Sequence, residues 1–189
     1  DRLERVDAAG LIVDLVLSLA PAEGAAPPAL AAATAGLPGI AWSPAGDGAL
    51  VTGALGDVLV SLRGSEAAVA AVQVHWEEQA GYPPYDVLGA LRLRGAAVVT
   101  LGCPLYFMAS AGQEKVVAVE APGHAPFALT VYHRPAPTGT EWGLYTVDAG
   151  FGAALPDAAM LAAGDYPGGG GRAFATEAQE WSADCPDPM

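Results

Sequence analysis

Phe-Ala-Leu-Thr-Val-Tyr-His-Arg, residues 127–134, alternates in character through its whole length. A period of two places Phe127, Leu129, Val131 and His133 on one face, with Ala128, Thr130, Tyr132 and Arg134 on the other. That is the pattern of a strand with an apolar side and a mixed side. Residues 115–120 alternate in the same way. Residues 69–76 set Val72, Val74 and Trp76 against Gln73 and His75.

Working outward, further strands are predicted at 40–43, 49–53, 57–63, 96–101, 105–110 and 142–148. Residues 11–19 read LIVDLVLSL, dense in β-branched and aliphatic side chains, and are also predicted as a strand. Residues 1–9 have helix-compatible composition, ended by Gly10. Short helices are predicted at 29–37, entered through Pro28, and at 85–93, entered through Pro83 and Pro84 and closed by Gly95. Two more are placed at 156–163 and 176–183. The run Gly168 to Gly171 reads as a linker. The expectation is therefore a strand-rich α+β domain over residues 1–165, with mainly antiparallel sheet and short helices. A Gly-rich linker and loosely packed tail would occupy 166–189.

A frame of 56 residues suggests duplication. Pro27-Pro28 recurs as Pro83-Pro84, Leu37 and Gly39 as Leu93 and Gly95, and Val13 and Val16 as Val69 and Val72. Residues 11–66 and 67–122 share ten identities, against about six expected by chance from this composition. Two tandem β-α-β-β(-β) units result, extended by strands to residue 148. This element order resembles that of three groups: the vicinal-oxygen-chelate metalloenzymes, the SOUL and GyrI-like ligand-binding domains, and the β-lactamase-inhibitor-protein-like modules. The resemblance is one of order alone, with no diagnostic motif of any of them.

Composition narrows the partners. Twenty-one acidic residues against eight basic ones give a net charge of −13, and Lys115 is the only lysine. Phosphate backbones and anionic lipid surfaces need clustered positive charge, so nucleic acid is not an expected partner. A protein or a small ligand is. The most apolar stretch, 8–20, is broken by Asp14 and falls short of the roughly 20 residues a membrane-spanning helix needs. A chain opening at Asp1 rather than Met is expected to have lost an upstream portion, through signal-peptide cleavage or a boundary set for expression. Cys103 and Cys185 either form one disulfide pinning the tail to the body, or are a buried thiol and an idle one. These features lean towards a periplasmic or secreted protein, with a cytoplasmic one still open.

No Walker loop, Gly-x-Ser-x-Gly, His-Glu-x-x-His or Cys-x-x-Cys occurs. Nor does any motif call for a cofactor. His75 and Glu77, two apart on a strand, share a face on which they could ligate a metal or share a proton. In the 56-residue frame, however, His75 matches Leu19 and Glu77 matches Pro21, neither a ligand. No metal site is therefore expected, and an exposed strand end explains the pair as well. Tyr132 and Arg134 share a face suited to a carboxylate or planar ligand, or to a cross-strand pair. His133 falls in the apolar register. Trp142 and Tyr145 belong to an aromatic-rich second half suited to an interface or a core.

Two functions follow. One is a non-enzymatic binding or inhibitory module with an acidic, aromatic face. The other is a small-molecule-binding protein or metal-dependent enzyme with a cleft between two repeats. In the second, His75, Glu77, Tyr132 and His133 should converge in one pocket. In the first they should be dispersed.

Overall fold

A computed structural model describes residues 2–46, 48–56, 58–79, 86–104, 113–134, 142–171 and 181–185. The alternating stretches assemble into one antiparallel sheet. Its strands are β1 (Ser43–Pro44), β2 (Val51–Leu55), β3 (Val58–Ser65), β4 (Ala68–Gln79) and β5 (Ala97–Pro104). They continue as β6 (Gln113–Glu120), β7 (Phe127–Arg134), β8 (Trp142–Gly150) and β9 (Trp181–Ser182). The spatial order is β1-β2-β3-β4-β8-β7-β6-β5-β9. Two meanders, β1–β4 and β5–β8, thus meet along the longest pairing, which runs from Ala71 opposite Gly150 to Gln79 opposite Trp142.

Among the described residues four α-helices accompany the sheet: α1 (Arg2–Leu19), α2 (Leu30–Ala35), α3 (Val87–Leu93) and α4 (Ala158–Ala163). The first sheet face carries Val72, Val74 and Trp76 of β4, Tyr145 and Val147 of β8, and Leu129 and Val131 of β7. Ile12, Val13, Val16 and Leu19 of α1 and Leu88 and Leu91 of α3 close over them in one core. At about 25 cal/mol per Å² of buried apolar surface, this layer is the main source of stability. No described helix is long and apolar enough to cross a membrane.

The segment 11–19 corrects the sequence reading, because it lies inside α1 and not in a strand. Its buried residues are Ile12, Val13, Leu15, Val16 and Leu19, which recur at the three- and four-residue spacing of a helix and not at the period of two of a strand. Gly10 does not end the helix. A Cβ there would stand 3.1 Å from Arg94 Nη2, and the Gly10 carbonyl accepts from that nitrogen at 3.1 Å. The 56-residue frame therefore matches Val13 and Val16 of a helix with Val69 and Val72 of a strand. What the two halves share is a helix followed by a four-stranded meander, not a β-α-β-β unit.

Residues 181–185 of the tail are tied to the body. Gly169–Gly171 forms a 3-10 turn, and β9 pairs with β5 through Ser182 opposite Cys103 and Trp181 opposite Pro104. Cys103 and Cys185 are joined in a disulfide, their Cα atoms 6.4 Å apart. Lys115, 4% exposed, donates from Nζ to the Cys185 carbonyl at 3.0 Å. Of the helix predicted at 176–183, residues 176–180 lie outside the described residues, and Trp181–Ser182 are strand. The strand predicted at 105–110 also lies outside them.

Candidate functional site

The second sheet face is polar where the first is apolar. Directly paired residues share a face, so the register can be followed across five strands. Ser61, Gln73, Asp148, Thr130 and Val116 form one row across β3, β4, β8, β7 and β6. The next row is Leu59, His75, Thr146, Tyr132 and Glu114. On the other side runs Arg63, Ala71, Gly150, Ala128 and Ala118.

Several of these polar groups are buried: Asp148 is 5% exposed, Thr130 0%, Thr146 6% and Glu114 4%. Part of the cover comes from the chain after β8. Tyr166 Oη donates to Glu114 Oε1 at 2.5 Å, and the Tyr166 ring meets Trp181 edge-on with centroids 5.3 Å apart. Leu161 of α4 and Trp181 close over Gly102, where a Cβ would stand 3.0 Å from each. Pro167 sits over Gly150, where a Cβ would come within 2.9 Å of its ring. Here glycine is needed because a neighbour approaches closely.

Between this cover and β3 lies a cleft of about 420 Å³, lined by Arg63, Ala71, Gln73, Asp148, Pro167 and Gly168 among others. It sits where the two meanders meet. On its floor Gln73 Nε2 donates to Asp148 Oδ1 at 2.8 Å. Arg63 Nε is buried and finds no hydrogen-bond partner among the described residues, and the same is true of Thr130 Oγ1. A buried donor without an acceptor costs about 1–3 kcal/mol, and more when the group is charged. Such a group marks a place that a ligand or water completes. One row away, His75 Nδ1 lies 3.4 Å from Thr146 Oγ1, a long contact.

The residues singled out from the sequence divide between the two faces. His75 and Tyr132 lie on the polar face in the same row, with β8 between them, and Tyr132 is 4% exposed. Arg134 is exposed and continues that face opposite Leu144. Glu77 also pairs with Leu144, and Trp142 with Gln79, but the side chains of Glu77 and Trp142 lie outside the described residues. His133 and Tyr145 belong to the helix-covered face, their rings stacked with centroids 4.8 Å apart. So the histidines of β4 and β7 do not converge. Among the described residues, no group of three or more His, Cys, Asp or Glu is placed to hold a metal ion.

Arg63, Gln73 and Asp148 were not singled out by sequence reading. Gln73 was legible as a polar residue in the register of His75. Asp148 had a similar signal, a lone acid between Val147 and Ala149 in a strand.

Compared with protein-family models, with curated proteins and with solved structures, the chain matches none.

Proposed function

We propose that this chain is a binding module whose ligand is a small polar molecule seated in the cleft at the β4–β8 junction. One observation carries the proposal: a guanidinium nitrogen of Arg63 is buried at the cleft without an acceptor among the described residues. The volume falls within the usual range for small-ligand sites, and a few polar groups converge on otherwise apolar walls. The aromatic-face reading has less support, since the large hydrophobics exposed among the described residues are Leu11, Leu59, Leu93 and Val99. No catalytic step is proposed.

The Cys103–Cys185 disulfide supports placing the module outside the cytoplasm, because such bonds persist in oxidising compartments. Thiol labelling of protein taken directly from its native compartment checks this. Two reactive cysteines in freshly isolated protein would overturn it.

The binding reading is tested by amide chemical-shift mapping against a chemically diverse set of small molecules. At least one compound is expected to shift the resonances of residues 63, 73, 148 and 168 together. A compound that binds stoichiometrically while leaving those four unmoved would place the site elsewhere.

A further inference from the structure

We infer that the Cys103–Cys185 disulfide is a redox latch: it holds closed the segment that walls the cleft, and a dithiol releases it. What the latch does to ligand binding rests on the cleft reading, while its mechanics do not. Pro167, Gly168 and Gly170 line the cleft from the chain after β8. Tyr166 holds that wall in place. Its ring fills the turn around Gly169, where a Cβ would stand 2.8 Å from two ring carbons, and its hydroxyl donates to Glu114 on β6. The same ring meets Trp181 of β9 edge-on, and the Trp181 ring in turn lies over Gly102. β9 pairs with β5 through two residues, far below the usual five or six of a strand, and the disulfide secures it three residues beyond. A continuous set of contacts thus runs from Cys185 through Trp181 and Tyr166 to the cleft wall. Coupling between distant positions travels along packed contacts of this kind.

Two observations mark the disulfide as exchangeable. Cys185 is partly exposed whereas Cys103 is buried, so a thiolate from solvent attacks at Cys185. Lys115 supplies a cation at the same place. Its Nζ donates to the Cys185 carbonyl at 3.0 Å, and Gly102 pairs with Val116, one step from Cys103 and Lys115 along the same two strands. A neighbouring ammonium stabilises a cysteine thiolate, and a more stable thiolate leaves faster. The exchange balances in two steps. The first thiolate of the dithiol bonds to Cys185 Sγ, the S–S bond breaks, and its electron pair leaves on Cys103. The second thiolate then displaces Cys185, the dithiol closes into a cyclic disulfide, and the two cysteines take up the two protons it has lost. In an oxidising compartment the latch rests closed.

The test is hydrogen exchange of the intact protein at neutral pH without denaturant, oxidised or held in dithiothreitol. The Gly169 amide, which donates to the Tyr166 carbonyl at 2.9 Å, reports on the wall. Dithiothreitol should reduce the folded protein. Amides of Gly169 and of residues 181–185 should then exchange about tenfold or more faster, while those of residues 129–131 in β7 keep their protection. Cys103→Ser combined with Cys185→Ser should reproduce that pattern without reductant. Trp181→Ala should make Gly169 exchange alike in both redox states, since it cuts the contact to Tyr166. Lys115→Met should slow reduction about threefold or more, and Lys115→Arg should not. If Lys115→Met does not fold, the exchange measurements still decide. The inference is overturned if the disulfide yields to dithiothreitol only in urea, or if reduction releases residues 129–131 along with the rest. It is also overturned if residues 181–185 loosen while Gly169 does not respond, if Gly169 still follows redox state in Trp181→Ala, or if a folded Lys115→Met protein is reduced at the parent rate. No cleft ligand enters these measurements, so their failure strikes the latch and leaves the cleft standing.

Discussion

Gln73 on β4 donates to Asp148 on β8, and this 2.8 Å bond crosses the junction between the two meanders. On the opposite face of the same junction Trp76 and Tyr145 stack, their ring centroids 4.7 Å apart. The junction is thus apolar towards the helices and polar towards the cleft. Its polar side holds a carboxylate out of water, which is tolerable only while that group is hydrogen-bonded.

Replacing Gln73 is therefore expected to matter more through charge than through size. Gln73→Ala removes the donor to a buried carboxylate and should cost about 1–3 kcal/mol. Gln73→Glu keeps the shape but sets two carboxylates together, which pushes one of them to titrate higher. Gln73→Glu should be the less stable of the two at pH 7, and its deficit should shrink as the pH falls towards 4. Urea unfolding at both pH values checks this. A Gln73→Ala protein as stable as the parent would mean that Asp148 does not depend on the bond.

The disulfide closes a separation of 82 residues and holds β9 against β5. Chain-entropy reasoning gives such a loop about 4–5 kcal/mol of stabilisation. The double variant Cys103→Ala, Cys185→Ala should lose much of that, and amides of residues 181–185 should exchange faster with solvent. Unfolding midpoints and hydrogen exchange report the two effects separately. A variant with an unchanged midpoint would show that the strand pairing and the Lys115 contact hold the tail unaided.

Much of the sheet was legible because period-two alternation is local. Residues 69–76 and 127–134 occupy the strands and faces that their patterns predicted. The segment 11–19 is helical although its β-branched and aliphatic composition favours a strand. The stripe Ile12, Val13, Val16 and Leu19 was present, but Gly10 read as a stop. Only the fold reveals that Arg94, 84 residues away, packs over Gly10. The cleft was illegible for the same reason. Gln73 and Asp148 are 75 residues apart, and nothing local in either strand names the other.

Gly64 gives a prediction about how the cleft is shaped. Between Arg63 and Gly64 the β3–β4 register shifts, and Gly64 has φ 125°, where a side chain is strained. A Cβ there would also stand 2.5 Å from the Ala68 carbonyl oxygen and 2.6 Å from the Ala70 nitrogen, both rigid backbone. Gly64→Ala should therefore cost about 2 kcal/mol or more. Because Arg63 precedes the shift, the variant should also move the amide resonances of residues 63 and 71 without added ligand. A fully stable Gly64→Ala protein would show that this bulge relaxes freely.

The Asp14–Arg94 pair supplies a pH prediction. Arg94 Nε and Nη2 donate to the two Asp14 oxygens at 2.7 and 3.0 Å, joining α1 to the end of α3. That hydrogen bonding holds the Asp14 carboxyl below its ordinary 3.8, against a smaller opposing effect of burial and with help from the guanidinium charge. A depressed carboxylate contributes stability that is present above its ordinary pKa and lost as pH falls through its folded one, so the loss occurs below about pH 4. Arg94 shifts upward and stays charged throughout this window. With the Asp14 side chain 62% and that of Arg94 30% exposed, screening keeps the contribution under about 1 kcal/mol. Asp14→Asn should be less stable than the parent by up to that amount at pH 7, less so in 1 M salt, and the difference should shrink as pH falls below about 4. Arg94→Ala should cost more, because it also removes the bonds to the Ala90 and Gly10 carbonyls and uncovers Gly10. Urea unfolding of both variants across this pH range decides the matter. A deficit in Asp14→Asn that persists undiminished at low pH would trace to packing and not to the ion pair.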